Sequence, residues 1–142
     1  VVFLDTNVFV YAAGAPGVEK DACASLLGRV AAGTVEATTS VEVVQELHHL
    51  YRRRGRLADG VRLGQQVLTL IPDALPVQVS DLVRSGEILL ARPQLSPRDA
   101  LHVAVALQHG IATLVSYDAD LDAIPEIRRV LPDGVGQGDT TR

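Results

Sequence analysis

Val1-Val2-Phe3-Leu4-Asp5-Thr6-Asn7 opens the chain and decides how the rest is read. Its first four residues are apolar, β-branched or aromatic in the main, and read as a buried strand. Asp5 stops the run. Asp5, Thr6 and Asn7 are all good helix-capping residues, and the apolar stretch Val8 to Ala13 comes next.

Working outward, strand and helix signals keep alternating. Gly14 to Gly17 is a Gly/Pro break. Val18 to Ala32 has helical spacing, with Ala22, Leu26, Leu27 and Val30 on one face, and Gly33 closes it. Val35 to Thr38 reads as a short strand. Thr39-Ser40 starts a helix, with Glu42 placed as a capping-box partner of Thr39. That helix turns Val43, Val44, Leu47, Leu50 and Tyr51 toward a core and ends at Gly55. Leu57 to Ile71 is a further amphipathic helix, stopped by Pro72. Leu75 to Val79 is strand-like, with Pro76 marking an edge, and Ser80 caps a helix from about Asp81 to Leu90.

Ser96-Pro97 then starts a helix to His109 that is apolar almost all round, so it is expected at the centre of the fold. Thr113 to Ser116 is a strand, Tyr117 to Asp122 an acidic loop, and Ile127 to Val130 a last short strand. The alternation predicts an α/β sandwich: a central parallel sheet flanked by helices. Residues 1–131 are expected to form one domain, and the glycine-containing stretch 132–142 a mobile tail.

Composition narrows the function. A length of 142 residues fits a single domain. No apolar run approaches the roughly 18 residues of a membrane helix. With one cysteine, Cys23, an internal disulfide and a cysteine-built zinc site are both excluded. No basic region precedes the opening apolar run, so no targeting segment is expected and the cytoplasm is the expected compartment. Seventeen acids face 13 bases, and the net charge of −4 counts against a simple cationic glove for nucleic acid.

The acids themselves are informative. In open α/β sheets, sites form beyond the carboxyl ends of the strands. Asp5 ends the first strand, and Asp118 and Asp120 follow the Thr113–Ser116 strand. Asp99 lies in the first turn of the central helix, and Glu46 on the helix after the second strand. Carboxylates gathered there repel unless a cation joins them. Hard oxygen donors suit Mg²⁺ or Mn²⁺. Two such ions about 3.5–4 Å apart can activate a water and steady the leaving oxygen of a phosphodiester. Each acid also has an ordinary reading: Asp5 as a helix cap, Glu46 as a solvated helical residue, Asp99 as the partner of Ser96 in a capping box, Asp118 and Asp120 as turn residues.

Four segments resemble a PIN-domain nuclease, in particular the VapC-type toxins of bacterial toxin–antitoxin pairs. They are Phe3-Leu4-Asp5-Thr6-Asn7-Val8, Val43-Val44-Gln45-Glu46-Leu47, Ser96-Pro97-Arg98-Asp99-Ala100-Leu101-His102 and Val115-Ser116-Tyr117-Asp118-Ala119-Asp120. They stand in family order from Asp5 to Asp120. The resemblance implies a PIN-like three-layer sandwich and a Mg²⁺-dependent endoribonuclease, with Mn²⁺ able to substitute. It maps the acidic set onto Asp5, Glu46, Asp99 and Asp118, with Asp120 as an accessory acid. Thr6, Asn7 and Ser116 match polar positions that orient a carboxylate or hold water. It also implies a tRNA or rRNA target, an antitoxin partner and a homodimer. Water attack would leave a 5′-phosphate and a 3′-hydroxyl.

Other groups read less sharply. Arg52-Arg53-Arg54-Gly55-Arg56 and Arg98 are candidates for RNA phosphates. The run equally suits a helix C-terminus whose arginines complement the dipole. His102, one turn after Asp99, reads either as a residue supporting the acids from behind or, in preference, as a satisfied core histidine. With five aromatics in the chain, stacking of a series of bases is poorly supported. Phosphatases of the haloacid dehalogenase class need a second Asp two residues after the first and a late lysine, and receiver domains also need that lysine. Residue 7 is Asn and Lys20 is the sole lysine, so both are rejected. The remaining rival is a PIN-like RNA- or protein-binding module with weak or no catalysis, and the full acidic set counts against it. Cations bound by those acids would offset much of the negative total.

Overall fold

The computed structural model describes residues 1–136. Four short strands form one parallel sheet: β1 (Val2–Leu4), β2 (Ala37–Thr38), β3 (Thr113–Val115) and β4 (Arg128–Val130). Their order is β2-β1-β3-β4, with Phe3 beside Thr38 on one side and beside Leu114 on the other. The chain therefore leaves β1 toward one neighbour and returns later to the opposite one. This reversal opens a crevice at the carboxyl ends of β1 and β3. Asp5 and Ser116 are the first residues past those ends.

Six helices flank the sheet: α1 (Thr6–Ala12), α2 (Val18–Ala31), α3 (Val41–Arg53), α4 (Leu57–Leu70), α5 (Val79–Ala91) and α6 (Pro97–Gln108). The helices pack mainly as consecutive pairs, α1 with α2, α3 with α4 and α5 with α6. The core joins Phe3 and Leu4 of β1, Leu114 and Val115 of β3, and Phe9, Leu26, Val43 and Leu47 of the helices. As expected from its composition, α6 is central: every residue from Ala100 to Ala106 is buried.

The α3–α4 hairpin holds the Glu46 helix in place. Gly55, with φ +70°, gives the left-handed turn between the two helices. Gly60 then lets α4 approach α3 closely: a Cβ there would lie 2.5 Å from Tyr51 Cβ and 3.0 Å from the Leu47 carbonyl oxygen. Gly64 leaves similar room for His48, which is half-buried.

Several expectations are corrected. Leu75 to Val79 makes no strand; one isolated bridge joins Leu75 to Ser40. Instead α5 starts at Val79, capped reciprocally by Gln78 and Asp81. The Asp81 carboxylate accepts from the Gln78 N–H at 2.8 Å, so the cap stands two residues ahead of Ser80. Thr39 is not the cap of α3; Ser40 is, without a side-chain bond. The Thr39 hydroxyl instead donates to the Leu4 carbonyl at 2.8 Å, tying the end of β1 to the start of the Glu46 helix. At the C-terminal end, Pro132 and Val135 are buried, and Arg29 donates to the Val135 carbonyl at 3.0 Å. That part of the expected tail packs on α2, and residues 137–142 lie outside the described residues. Among the described residues, no helix is long and apolar enough to cross a membrane.

Candidate active site

Asp5 is the N-cap of α1, and its Oδ1 accepts from the Thr6 N–H at 2.7 Å. A capping carboxylate usually stays at the surface. Asp5 is 4% exposed, because β1 carries it into the crevice between β3 and α6. Its other oxygen, Oδ2, accepts from the Ser116 hydroxyl at 2.6 Å. Ser116 itself accepts from the Asp118 N–H at 3.0 Å and from Asn7 Nδ2 at 3.1 Å. Asn7 Oδ1 takes the Tyr117 N–H at 3.3 Å, which closes the link between the first helix and the β3 loop. Arg129 braces that loop from β4, donating to the Ser116 carbonyl at 3.1 Å while its guanidinium pairs with Asp122.

Asp5, Glu46, Asp99 and Asp118 line one cleft of about 670 Å³, and Asp120, Thr6 and Asn7 line it too. Asp99 resolves its double reading. Its backbone N–H donates to Ser96 Oγ at 3.1 Å, so Ser96 caps α6. Its carboxyl lines the cleft beside that of Asp118. Asp118 likewise both caps a 3₁₀ turn (Ala119–Ala123), through Asp120 N–H at 2.9 Å, and faces the cleft. Asp120 is exposed at the edge.

The electrostatics follow from this crowding. Burial, the neighbouring Asp118 carboxyl and the charge of Asp5 push the Asp99 carboxyl up to about 8. Asp5 is also raised, by burial, against the lowering effects of His102, Ser116 and Thr6. Burial would raise Glu46 as well, but His102, Thr6 and Arg98 outweigh it and hold it below its ordinary value. Burial and the neighbouring acids together keep the Asp99 carboxyl neutral near pH 7, with His102 only partly opposing them.

His102 corrects the reading of a satisfied core histidine. It is 1% exposed, and neither ring nitrogen has a hydrogen-bond partner. Nε2 lies 3.6 Å from Glu46 Oε1 and 3.8 Å from Asp5 Oδ1, while the ring packs against Phe3. Burial alone would lower its pKa, but Glu46, Asp5 and Asp99 raise it. The spacing of three from Asp99 put it on the same helical face, and that was the available signal.

The arginines divide. Arg54 and Arg98 line the cleft. Arg52 and Arg53 are exposed on α3 away from its lining, and Arg56 pairs with Asp59 at 3.0 Å over the Tyr51 ring. Tyr11, Val10 and Leu50 also line the cleft, which the sequence did not single out.

The donor set is all oxygen, negative and hard, which fits a divalent cation such as Mg²⁺ or Mn²⁺. The convergence of Asp5, Glu46, Asp99 and Asp118 on one cleft is the structural observation that favours such a group. Among the described residues, no three acidic, histidine or cysteine side chains stand close enough together to hold a metal ion as they are placed.

Fold and site together define a small α/β protein with an acidic centre at the switch point of a parallel sheet. A PIN domain family model matches residues 2–127, and the chain belongs to the PIN domain family. It is 32% identical over 137 residues to Ribonuclease VapC7 of Mycobacterium tuberculosis, covering 96% of this chain and 94% of that one. It is 31% identical over 133 residues to VapC ribonuclease Mb1869c of Mycobacterium bovis, covering 92% and 99%. Among solved structures, it resembles VapC20 of Mycobacterium tuberculosis, described as a Sarcin-Ricin loop cleaving toxin. The TM-score is 0.71 at 21% identity, over 87% of this chain and 94% of that one.

Proposed function

We propose that this chain is a divalent-cation-dependent endoribonuclease and the toxin of a toxin–antitoxin pair. The observation that carries the reading is the convergence of Asp5, Glu46, Asp99 and Asp118 on one cleft, with Asp99 raised to about 8. Relatives named VapC ribonucleases, similar over nearly the whole chain, support RNA as the substrate.

Asp5, Glu46, Asp99 and Asp118 would hold Mg²⁺, or Mn²⁺ in its place, with Asp120 at the margin. When bound, such a cation lowers the pKa of water and offsets charge building on the phosphate. The chain's own groups do the rest. Ser116 fixes the direction of Asp5, and His102 faces Asp5 and Glu46 from the buried side. Asp99 gives up its proton when the cleft is loaded. Arg54 and Arg98 receive phosphate oxygens at the rim, and Arg52, Arg53 and Arg56 add positive charge along the flank. Attack by water, with no part for the ribose 2′-hydroxyl, leaves a 5′-phosphate and a 3′-hydroxyl.

The target is proposed to be a tRNA or rRNA loop, the site of action the cytoplasm and the inhibitor an antitoxin. A homodimer is supported by the apolar stripe on α5, where Val79, Leu82, Val83 and Leu90 are 79%, 54%, 60% and 86% exposed. Sequencing RNA 5′ ends after brief induction in bacterial cells tests the function. New ends in one tRNA or rRNA loop are expected. No new ends contradict the enzyme, and diffuse decay contradicts the toxin.

A further inference from the structure

The cleft is lined by two chemically different sets of residues. One is the carboxylates. The other is Val10 and Tyr11 of α1, Leu50 of α3, and Arg54. The second set offers no anionic oxygen to a hard cation. Tyr11 is its distinctive feature. It is 42% exposed in a chain with five aromatic residues.

The ring is nevertheless held in place. It meets Tyr117 edge to face, with centroids 4.9 Å apart and planes at 63°. Tyr117 is fixed in turn by its N–H on Asn7 Oδ1 at 3.3 Å and by contact of its hydroxyl with Cys23 Sγ at 3.8 Å. Tyr11 is thus supported at one side by the same loop that carries Asp118. It lies six residues along α1 from Asp5, about 9 Å of helical rise. That separation suits a base on a nucleotide adjoining a phosphate held at the carboxylates.

We infer that Tyr11, with Val10, Leu50 and Arg54, forms a subsite for one unpaired nucleobase flanking the cleaved phosphate. The inference rests on the ribonuclease reading and adds to it a residue that selects substrate. Stacking needs an aromatic face presented without reorganisation, which the Tyr117 brace supplies. Val10, Leu50 and Arg54 line the same cleft and supply the apolar contact and positive charge that a flat, polar-edged ring takes. A single platform matches the low aromatic content: one base is read by its face, and the remainder of the RNA by shape and phosphates.

The test uses the full chain and short single-stranded oligoribonucleotides, each with 2-aminopurine at one position, titrated with Ca²⁺ present. Total bacterial RNA is digested in parallel with Mg²⁺ and its new ends sequenced. With wild type, 2-aminopurine fluorescence is expected to be quenched at one position, and cut sites to show a base preference at one flanking nucleotide. Tyr11→Ala should abolish the quenching, weaken binding about tenfold or more and flatten the preference. Tyr11→Phe should restore all three. Tyr11→Leu preserves packing against Tyr117 but lacks a π face, so it should behave as Tyr11→Ala with an unchanged melting temperature. Cleavage by wild type with no quenched position, or unchanged quenching and preference in Tyr11→Ala and Tyr11→Leu, overturns the subsite and leaves the ribonuclease reading standing. This is also the result if Tyr11 meets only a protein partner. If wild type neither binds the oligoribonucleotides nor cuts total RNA, both readings fall.

Discussion

The Ser116 hydroxyl donates to Asp5 Oδ2 at 2.6 Å, across 111 residues of chain. The bond joins the ends of the two central strands and fixes the most buried carboxylate of the cleft. Because Ser116 also receives the Asp118 N–H, one small side chain orients two acids. Ser116→Ala should therefore cut RNA cleavage and Mn²⁺ affinity by about 10–100-fold, as loss of a partner that orients a metal ligand does elsewhere. The melting temperature should move little. Calorimetric Mn²⁺ titration beside cleavage assays checks both.

On the proposed function, Asp99 would make cation binding a proton exchange. With its carboxyl at about 8, it is protonated near pH 7, and a cation bound there would displace that proton to solvent. Mn²⁺ affinity should rise about tenfold per pH unit below 8 and level off above it. Calorimetry at pH 7 in buffers of different ionisation enthalpy should show release of close to one proton. Equal heats in all buffers would contradict this.

The same group sets the sign of the stability profile. The folded pKa of Asp99 lies above its unfolded value near 3.8, so between about pH 4 and pH 8 the folded state binds the extra proton. Its stabilising effect is full below that window and lost as pH rises through about 8. Asp5 and His102 are also raised and act in the same direction, whereas Glu46 is lowered and its contribution is lost only at acid pH. The cation-free protein should melt at a lower temperature at pH 9 than at pH 5.5. Asp99→Asn should remove much of that difference while abolishing cleavage, as read by calorimetric melting.

His102 faces Asp5 and Glu46 from inside the core, and it lowers the pKa of Asp5, Glu46 and Asp99. His102→Leu removes the cationic neighbour of two buried carboxyls, so stability should fall. The three carboxyls should then ionise at higher pH. The acid limb of the pH–rate profile should shift upward, with a larger loss of rate at pH 6.5 than at pH 8.5. A uniform loss across pH would count against this role.

Gly60 carries the close approach of α4 to α3 and so the placement of Glu46. A methyl group there would meet Tyr51 Cβ and the Leu47 carbonyl, a backbone atom that cannot swing aside. Gly60→Ala should cost about 1–3 kcal/mol in urea unfolding. Gly28→Ala, where a Cβ meets nothing within 4 Å, is the control and should be neutral or stabilising.

The four sheet strands, most helices and three of the acids were legible because each rests on local pattern. Asp5 after Leu4, Asp118 in the loop after Val115 and Asp99 after Ser96-Pro97 all follow from where a strand ends or a helix begins, whereas Glu46 lies inside a helix and is singled out by its place after the second strand and by the family resemblance. The failures have physical causes. Thr39 sits at a capping position, yet its hydroxyl bonds the Leu4 carbonyl, a partner 35 residues away. Leu75 to Val79 has strand composition, but the Gln78–Asp81 cap claims the segment for α5. His102 shares apolar neighbours with a core residue, and only the assembled fold turns it toward Glu46 and Asp5. Arg54 and Arg52 belong to one basic run, and helix phase alone separates the arginine at the cleft from the one away from it. Tyr11 was one aromatic among five until the Tyr117 contact made it a supported, open face.

The most direct test of the central claim is the chemistry of the RNA ends left by the purified protein. Incubation with total bacterial RNA in Mg²⁺ should give 5′-phosphate and 3′-hydroxyl ends. EDTA should stop cleavage, and Asp5→Asn should prevent it with the fold intact by circular dichroism. Cleavage that persists in EDTA and leaves 2′,3′-cyclic phosphates, or an Asp5→Asn protein as active as wild type, would contradict a carboxylate-held cation as the source of activity.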